Sequence, residues 1–80
     1  MKSTLEIFAA RLKQLRSENN LSVAELSEIT GISRSILYDY ERGNVEPTMT
    51  KLLAIADYFN VDVGWLIGRQ VPRRKPNGQP

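Results

Sequence analysis

Val23-Ala24-Glu25-Leu26-Ser27-Glu28-Ile29-Thr30-Gly31-Ile32-Ser33-Arg34-Ser35-Ile36-Leu37 is the stretch that decides how this 80-residue chain folds. Leu21-Ser22 stands immediately before it. Ser22 with Glu25 three residues on forms a capping box, and Leu21 with Leu26 a hydrophobic staple, so a helix is expected over 23–29. Ile32-Ser33 followed by Leu37 repeats the cap and staple, which predicts a second helix over 34–42. Gly31 lies between them, where a chain leaving one helix needs the left-handed conformation that glycine adopts at little cost. Ala24 is small enough for two helices to cross closely. Leu26, Ile29, Ile32 and Leu37 are expected to point into a shared core. The second helix then presents a polar surface: Ser33, Arg34 and Ser35 in its first turn, Tyr38 and Asp39 one turn later.

Working outward, Leu5, Phe8, Leu12 and Leu15 recur at spacings of three and four, one face of a helix over about 4–18. Ser3 with Glu6 caps it, and Asn19-Asn20 ends it. Gly43 stops the second helix of the pair, and Asn44-Val45-Glu46-Pro47 reads as a loop. Thr48 caps a fourth helix carrying Leu52, Leu53, Ile55, Ala56 and Phe59, while Val61-Asp62 followed by Leu66 starts a short fifth over about 63–67. The expected architecture is all-α, five helices around one core over residues 1–68. Residues 69–80 have little apolar content and three prolines, and read as a basic, disordered tail.

Composition removes most catalytic classes. The chain has no cysteine and no histidine, so disulfides, thiolate zinc sites and Cys–His or Ser–His nucleophile pairs are excluded. The nine acids are dispersed and show no catalytic grouping, so no enzyme, metal or cofactor is expected. No apolar run approaches the roughly 20 residues that span a bilayer, and the start does not read as a secretory signal, so a cytoplasmic protein without membrane contact is expected. Residues 1–68 carry seven lysines and arginines against nine acids, a net of −2, while residues 69–80 carry +4. A polyanion would therefore have to be held by a few placed cations and by helix N-termini.

Together with Leu12-Lys13-Gln14-Leu15-Arg16, Leu21-Ser22, Tyr40-Glu41-Arg42-Gly43 and Pro47-Thr48, the Gly31-Ile32-Ser33-Arg34-Ser35 segment resembles the lambda repressor/Cro-like helix-turn-helix family. The likeness extends over about residues 7–68. It implies a sequence-specific transcriptional regulator, a repressor binding a palindromic operator on double-stranded DNA as a homodimer. The second helix of the pair would lie in the major groove with its first residues at base edges. That role falls on Ser33, Arg34, Ser35 and Asp39, with Tyr38 at the margin. Arg34 would bond guanine O6 and N7, and Asp39 would accept from a cytosine amino group. Ser22 matches a phosphate-contacting position, and Arg42, Gly43 and Asn44 match a loop that grips the backbone. Arg16 and Glu41 match a structural ion pair.

The chain departs from the family pattern at four places. Val23 stands where glutamine is usual at a DNA-contacting position. Asp39 is acidic where lysine, arginine or glutamine is frequent, Glu46 lies in a loop that is often basic, and Ile36 replaces threonine or serine. Those departures, with the net −2, keep a second class open: a protein-interaction module on the same fold, such as an antitoxin or phage accessory factor. Trp65 either closes the core or lies in a symmetric interface. The tail reads as solvated charge or a linker to a partner domain, in preference to an extra arm on DNA. No small-molecule effector is expected, because there is no room for a ligand domain.

Overall fold

In the computed structural model, which describes residues 2–75, five helices follow one another: α1 (Thr4–Glu18), α2 (Val23–Thr30), α3 (Arg34–Arg42), α4 (Met49–Phe59) and α5 (Val63–Leu66). The all-α, five-helix architecture expected from the sequence is the one observed. Each start is fixed by a side chain that accepts from a backbone N–H the helix cannot itself satisfy. Ser3 accepts from the Glu6 amide at 3.1 Å, and the Glu6 carboxylate accepts from the Ser3 amide at 2.8 Å. This exchange with the Ser3 amide and hydroxyl holds the Glu6 carboxyl below its ordinary range. Ser22 and Glu25 form the same reciprocal pair at 3.0 and 2.8 Å. Ser33, Thr48 and Asp62 cap α3, α4 and α5. Caps of this kind each contribute about 1 kcal/mol.

The core is continuous through all five helices. Phe8, Leu12 and Leu15 of α1 meet Val23 and Leu26 of α2, Leu37 and Tyr40 of α3, Ile55 and Ala56 of α4 and Leu66 of α5, with Ile32 and Val61 closing the gaps between helices. The most extensive packing is that of α1 on α3. The Phe8 and Tyr40 rings meet edge to face, 5.5 Å between centroids, and burial pushes the Tyr40 phenol up from its ordinary range.

On α2 the buried set differs from the expected one. Ile29 is 44% exposed, whereas Val23 is only 5% exposed. At 100° per residue, positions 23, 26 and 30 fall on one stripe and position 29 lies off its edge. Thr30 extends α2 by one residue. Its hydroxyl donates to the Leu26 carbonyl at 2.8 Å and accepts from the Ile32 amide at 3.2 Å, closing the helix just before the turn.

Residues 69–75, the first part of the segment expected to be disordered, lie against the helices; residues 76–80 fall outside the described residues. The Asp62 amide donates to the Arg73 carbonyl at 2.8 Å, and Val61 and Arg74 form an isolated antiparallel bridge. Arg73 pairs with Glu18 of α1, and Lys75 with Asp57 of α4. Two guanidiniums lie over the half-buried Trp65 indole, that of Arg11 at 4.5 Å and that of Arg73 at 5.0 Å from the ring centroid. Arg11 also donates to the Trp65 carbonyl. We refer to residues 69–75 as the strap. Local polarity predicts a solvated segment; the acids that hold it, Glu18 and Asp57, are distant in sequence.

Candidate nucleic-acid interface

The turn between α2 and α3 sets the site. Gly31 takes φ 76° and ψ 6°, and its amide donates to the Ser27 carbonyl at 2.8 Å. Nothing lies within 4 Å of where a side chain would begin, so glycine is required there by backbone conformation and not by lack of room. Ile32 and Leu37 are buried on either side of the α3 start. Anchored by them, the first turn of α3 faces outward.

Ser33, Arg34 and Ser35 are all exposed. The Ser33 hydroxyl accepts from the Ile36 amide at 3.2 Å, which leaves other N–H groups of the first turn open to an incoming acceptor. Arg34 makes no ion pair among the described residues, and no acid precedes it in the first turn of α3. Ile36 turns inward against the core and is not part of the exposed face. One turn on, Tyr38 is 47% exposed and Asp39 is half-buried. Arg42 is exposed in the last turn, followed by Gly43 in the left-handed conformation and exposed Asn44. Ser22 is exposed at the start of α2, beside the start of that helix's dipole.

Val23 does not join this face. At the first position of α2 its side chain turns into the core and is buried there. A packing residue stands at this position, and Ser22, the cap before α2, is the exposed polar residue beside it.

Behind the face, Arg16 of α1 clasps Glu41 of α3 at 2.7 and 3.0 Å, and also donates to the Leu21 carbonyl at 2.9 Å. The hydrogen bonds that Arg16 donates to the Glu41 carboxylate raise the Arg16 pKa. The guanidinium thereby ties α1, the α1–α2 connection and α3 into one frame. Two features of that frame were not read from the sequence: the burial of Tyr40 against Phe8, and the role of Arg11 on Trp65. The apolar period did point to position 40, three residues after Leu37; the Arg11 contact has no local signal.

A short capped helix pair with a glycine turn, presenting an open cationic first turn over a closed core, defines a helix-turn-helix DNA-binding domain. A family model described as helix-turn-helix matches residues 12–66, and the chain belongs to that family of DNA-binding transcriptional regulators. It is similar to control protein C.SmaI of Serratia marcescens, 35% identical over 65 residues that make up 81% of this chain and 77% of that one. It is similar also to the immunity repressor protein of Bacillus phage phi105, 33% identical over 60 residues, 75% of this chain and 42% of that one. Among solved structures, the restriction-modification controller protein C.AhdI from Aeromonas hydrophila superposes with a TM-score of 0.71 at 29% identity, covering 78% of this chain and 94% of that one. The chain spans between 34% and 55% of the length of three curated regulators it matches, the phage repressor among them. No helix among the described residues is long and apolar enough to cross a membrane.

Proposed function

We propose that the chain is a transcriptional repressor that binds a palindromic operator as a homodimer, with α3 in the major groove of each half-site. The observation that carries this reading is the first turn of α3, where Ser33, Arg34 and Ser35 stand exposed together on a helix anchored from beneath by Ile32 and Leu37. Arg34 is the base reader, suited to guanine O6 and N7. Ser35 and Tyr38 border the same groove. Ser22, Ser33, Arg42 and Asn44 contact phosphates, the two serines at helix N-termini. The resemblance to a phage immunity repressor supports repression over activation. Two copies would place their α3 helices about 34 Å apart, one turn of the duplex.

Selection from a randomised duplex library at two salt concentrations tests this. An enriched inverted repeat with half-site centres one turn apart is the expected result. Arg34→Ala should then cost about 1–3 kcal/mol of operator binding and relax the preference at one base position. Equal loss on every sequence would reassign Arg34 to phosphate. If nothing enriches and binding disappears at the higher salt, the repressor reading fails. The face around Tyr38 and Asp39 would then be tested for a protein partner, a reading favoured by the half-exposed Tyr38 ring and the net −2 of residues 1–68.

A further inference from the structure

Asp39 is the feature of the α3 face that DNA reading by itself does not explain, since a carboxylate near phosphates is unfavourable. Its surroundings give it a different task. Residues 38 and 42 are one turn apart on α3, and 39 and 42 are three apart, so all three side chains can meet on one surface. They do. The Arg42 Nη1 atom lies 3.3 Å from Asp39 Oδ1, and the same guanidinium stands 5.7 Å from the Tyr38 ring centroid. The Asp39 side chain is 38% exposed and that of Arg42 is 63% exposed, so the carboxylate is the recessed member and the guanidinium the presented one.

The backbone beneath this cluster is fixed. The Asn44 amide donates to the Asp39 carbonyl at 3.0 Å and the Gly43 amide to the Tyr40 carbonyl at 3.1 Å, which closes the end of α3. Glu41, next to Arg42, is bound twice by Arg16 of α1. Arg42 therefore leaves a rigid platform, and its direction is set by Asp39 on one side and the Tyr38 ring on the other. The C-terminal end of a helix also favours a cation there.

Resting on the DNA reading proposed above, we infer that Asp39 is a positioning residue: it aims the Arg42 guanidinium at a backbone phosphate and does not itself accept a hydrogen bond from a base. A pre-aimed arginine favours the fully seated α3 over looser, differently oriented encounters with the backbone, although the phosphate itself carries no sequence information. The carboxylate also removes one unit of positive charge from the face, which weakens binding to DNA in any other register. Asp39 in this way raises the ratio of operator binding to random-sequence binding.

The test is a double-mutant cycle on the enriched operator duplex and on a random-sequence duplex, each over a range of salt, with Asp39→Asn, Arg42→Gln and both together. Asp39→Asn should tighten random-sequence binding roughly three- to tenfold and steepen its salt dependence by about one charge. Operator binding should change less, and the selected sequence should stay the same. In the Arg42→Gln background, with no guanidinium left to aim, Asp39→Asn should tighten operator and random-sequence binding alike. Without DNA, the Arg42 δ-protons should show an upfield ring-current shift from Tyr38 in the parent protein that moves toward the random-coil position in Asp39→Asn. A changed base preference at one position overturns the inference in favour of base reading. An equal Asp39→Asn tightening on operator and random-sequence duplexes with Arg42 present overturns it in favour of simple repulsion. A parent protein that binds no duplex at any salt overturns the DNA reading itself, with this inference.

Discussion

The α2–α3 pair and the α5–strap end of the molecule are built on different physics. Residues 22–43 are organised by what lies next to them in sequence: a capping box at Ser22, a left-handed Gly31, a cap at Ser33 and a left-handed Gly43, over Val23, Leu26, Ile32 and Leu37 in the core. Residues 62–75 are organised by what lies far away. Helix α5 has four residues and cannot hold itself together without neighbours. Its Asp62 cap approaches so closely that a side chain at Gly64 would begin 2.8 Å from Oδ1. Beyond it the strap depends on Glu18, Asp57 and the Trp65 ring. The α2–α3 pair, like Leu66 of α5, is held by apolar burial, which salt barely touches. The strap is held by exposed charges, which salt screens.

That difference makes graded predictions. Leu37→Ala, deep in the α2–α3 side, should lose about 2–5 kcal/mol in denaturant unfolding, nearly independent of salt. A loss that shrinks markedly with added salt would contradict the division. Glu41→Ala should follow at about 2–3 kcal/mol, because Arg16 is left largely covered without its partner, although it keeps some access to water. Gly31→Ala should cost about 1 kcal/mol through backbone strain alone, with no loss of core packing by NMR. Smallest of all, Arg73→Ala should leave global unfolding nearly unchanged. It should instead speed amide exchange at Asp62, whose N–H is held by the strap.

The strap should also respond to acid. The hydrogen bonds from Arg73, and next from Gln14, hold the Glu18 carboxyl below its ordinary range. The folded value is the lower one, so the contact is fully present above the unfolded carboxylate's range. It is lost as pH falls through the depressed folded value. Protection of the Asp62 amide, relative to intrinsic exchange at the same pH, should therefore fall at acid pH before the helices unfold, and Arg73→Ala should abolish that step. An acid transition in which strap and helices melt together would show that the two ends are one cooperative unit.

The same contrast decides how much was legible in the sequence. Every helix start was readable, because a cap is a contact between residues about three apart and leaves its mark in the local order of Ser22 and Glu25, or of Ser33 before Ile36 and Leu37. The two-helix turn was readable from Gly31 for the same reason. The α2 face was misread by one edge: Ile29 was assigned inward by its apolarity, whereas geometry gives the inner stripe to Val23, Leu26 and Thr30. The strap was illegible, because its partners are 18 and 55 residues away and nothing in its own composition favours order. The exposed residues of α3 were identifiable from spacing and resemblance, but the Tyr38–Asp39–Arg42 cluster emerges only when three exposed side chains are seen to meet.

The indole between Arg11 and Arg73 has a consequence for how this protein can be watched. The chain contains one tryptophan, and it sits at the strap, on a different element from the exposed first turn of α3. Excited where the three tyrosines do not absorb, the protein's fluorescence has a single source, whose emission is tuned by two neighbouring cations and by partial exclusion from water. Release of the strap would remove one of those cations and wet the ring, shifting the emission, while occupation of α3 would leave it almost dark to the event. The molecule thus carries an optical gauge for one of its ends and none for the other.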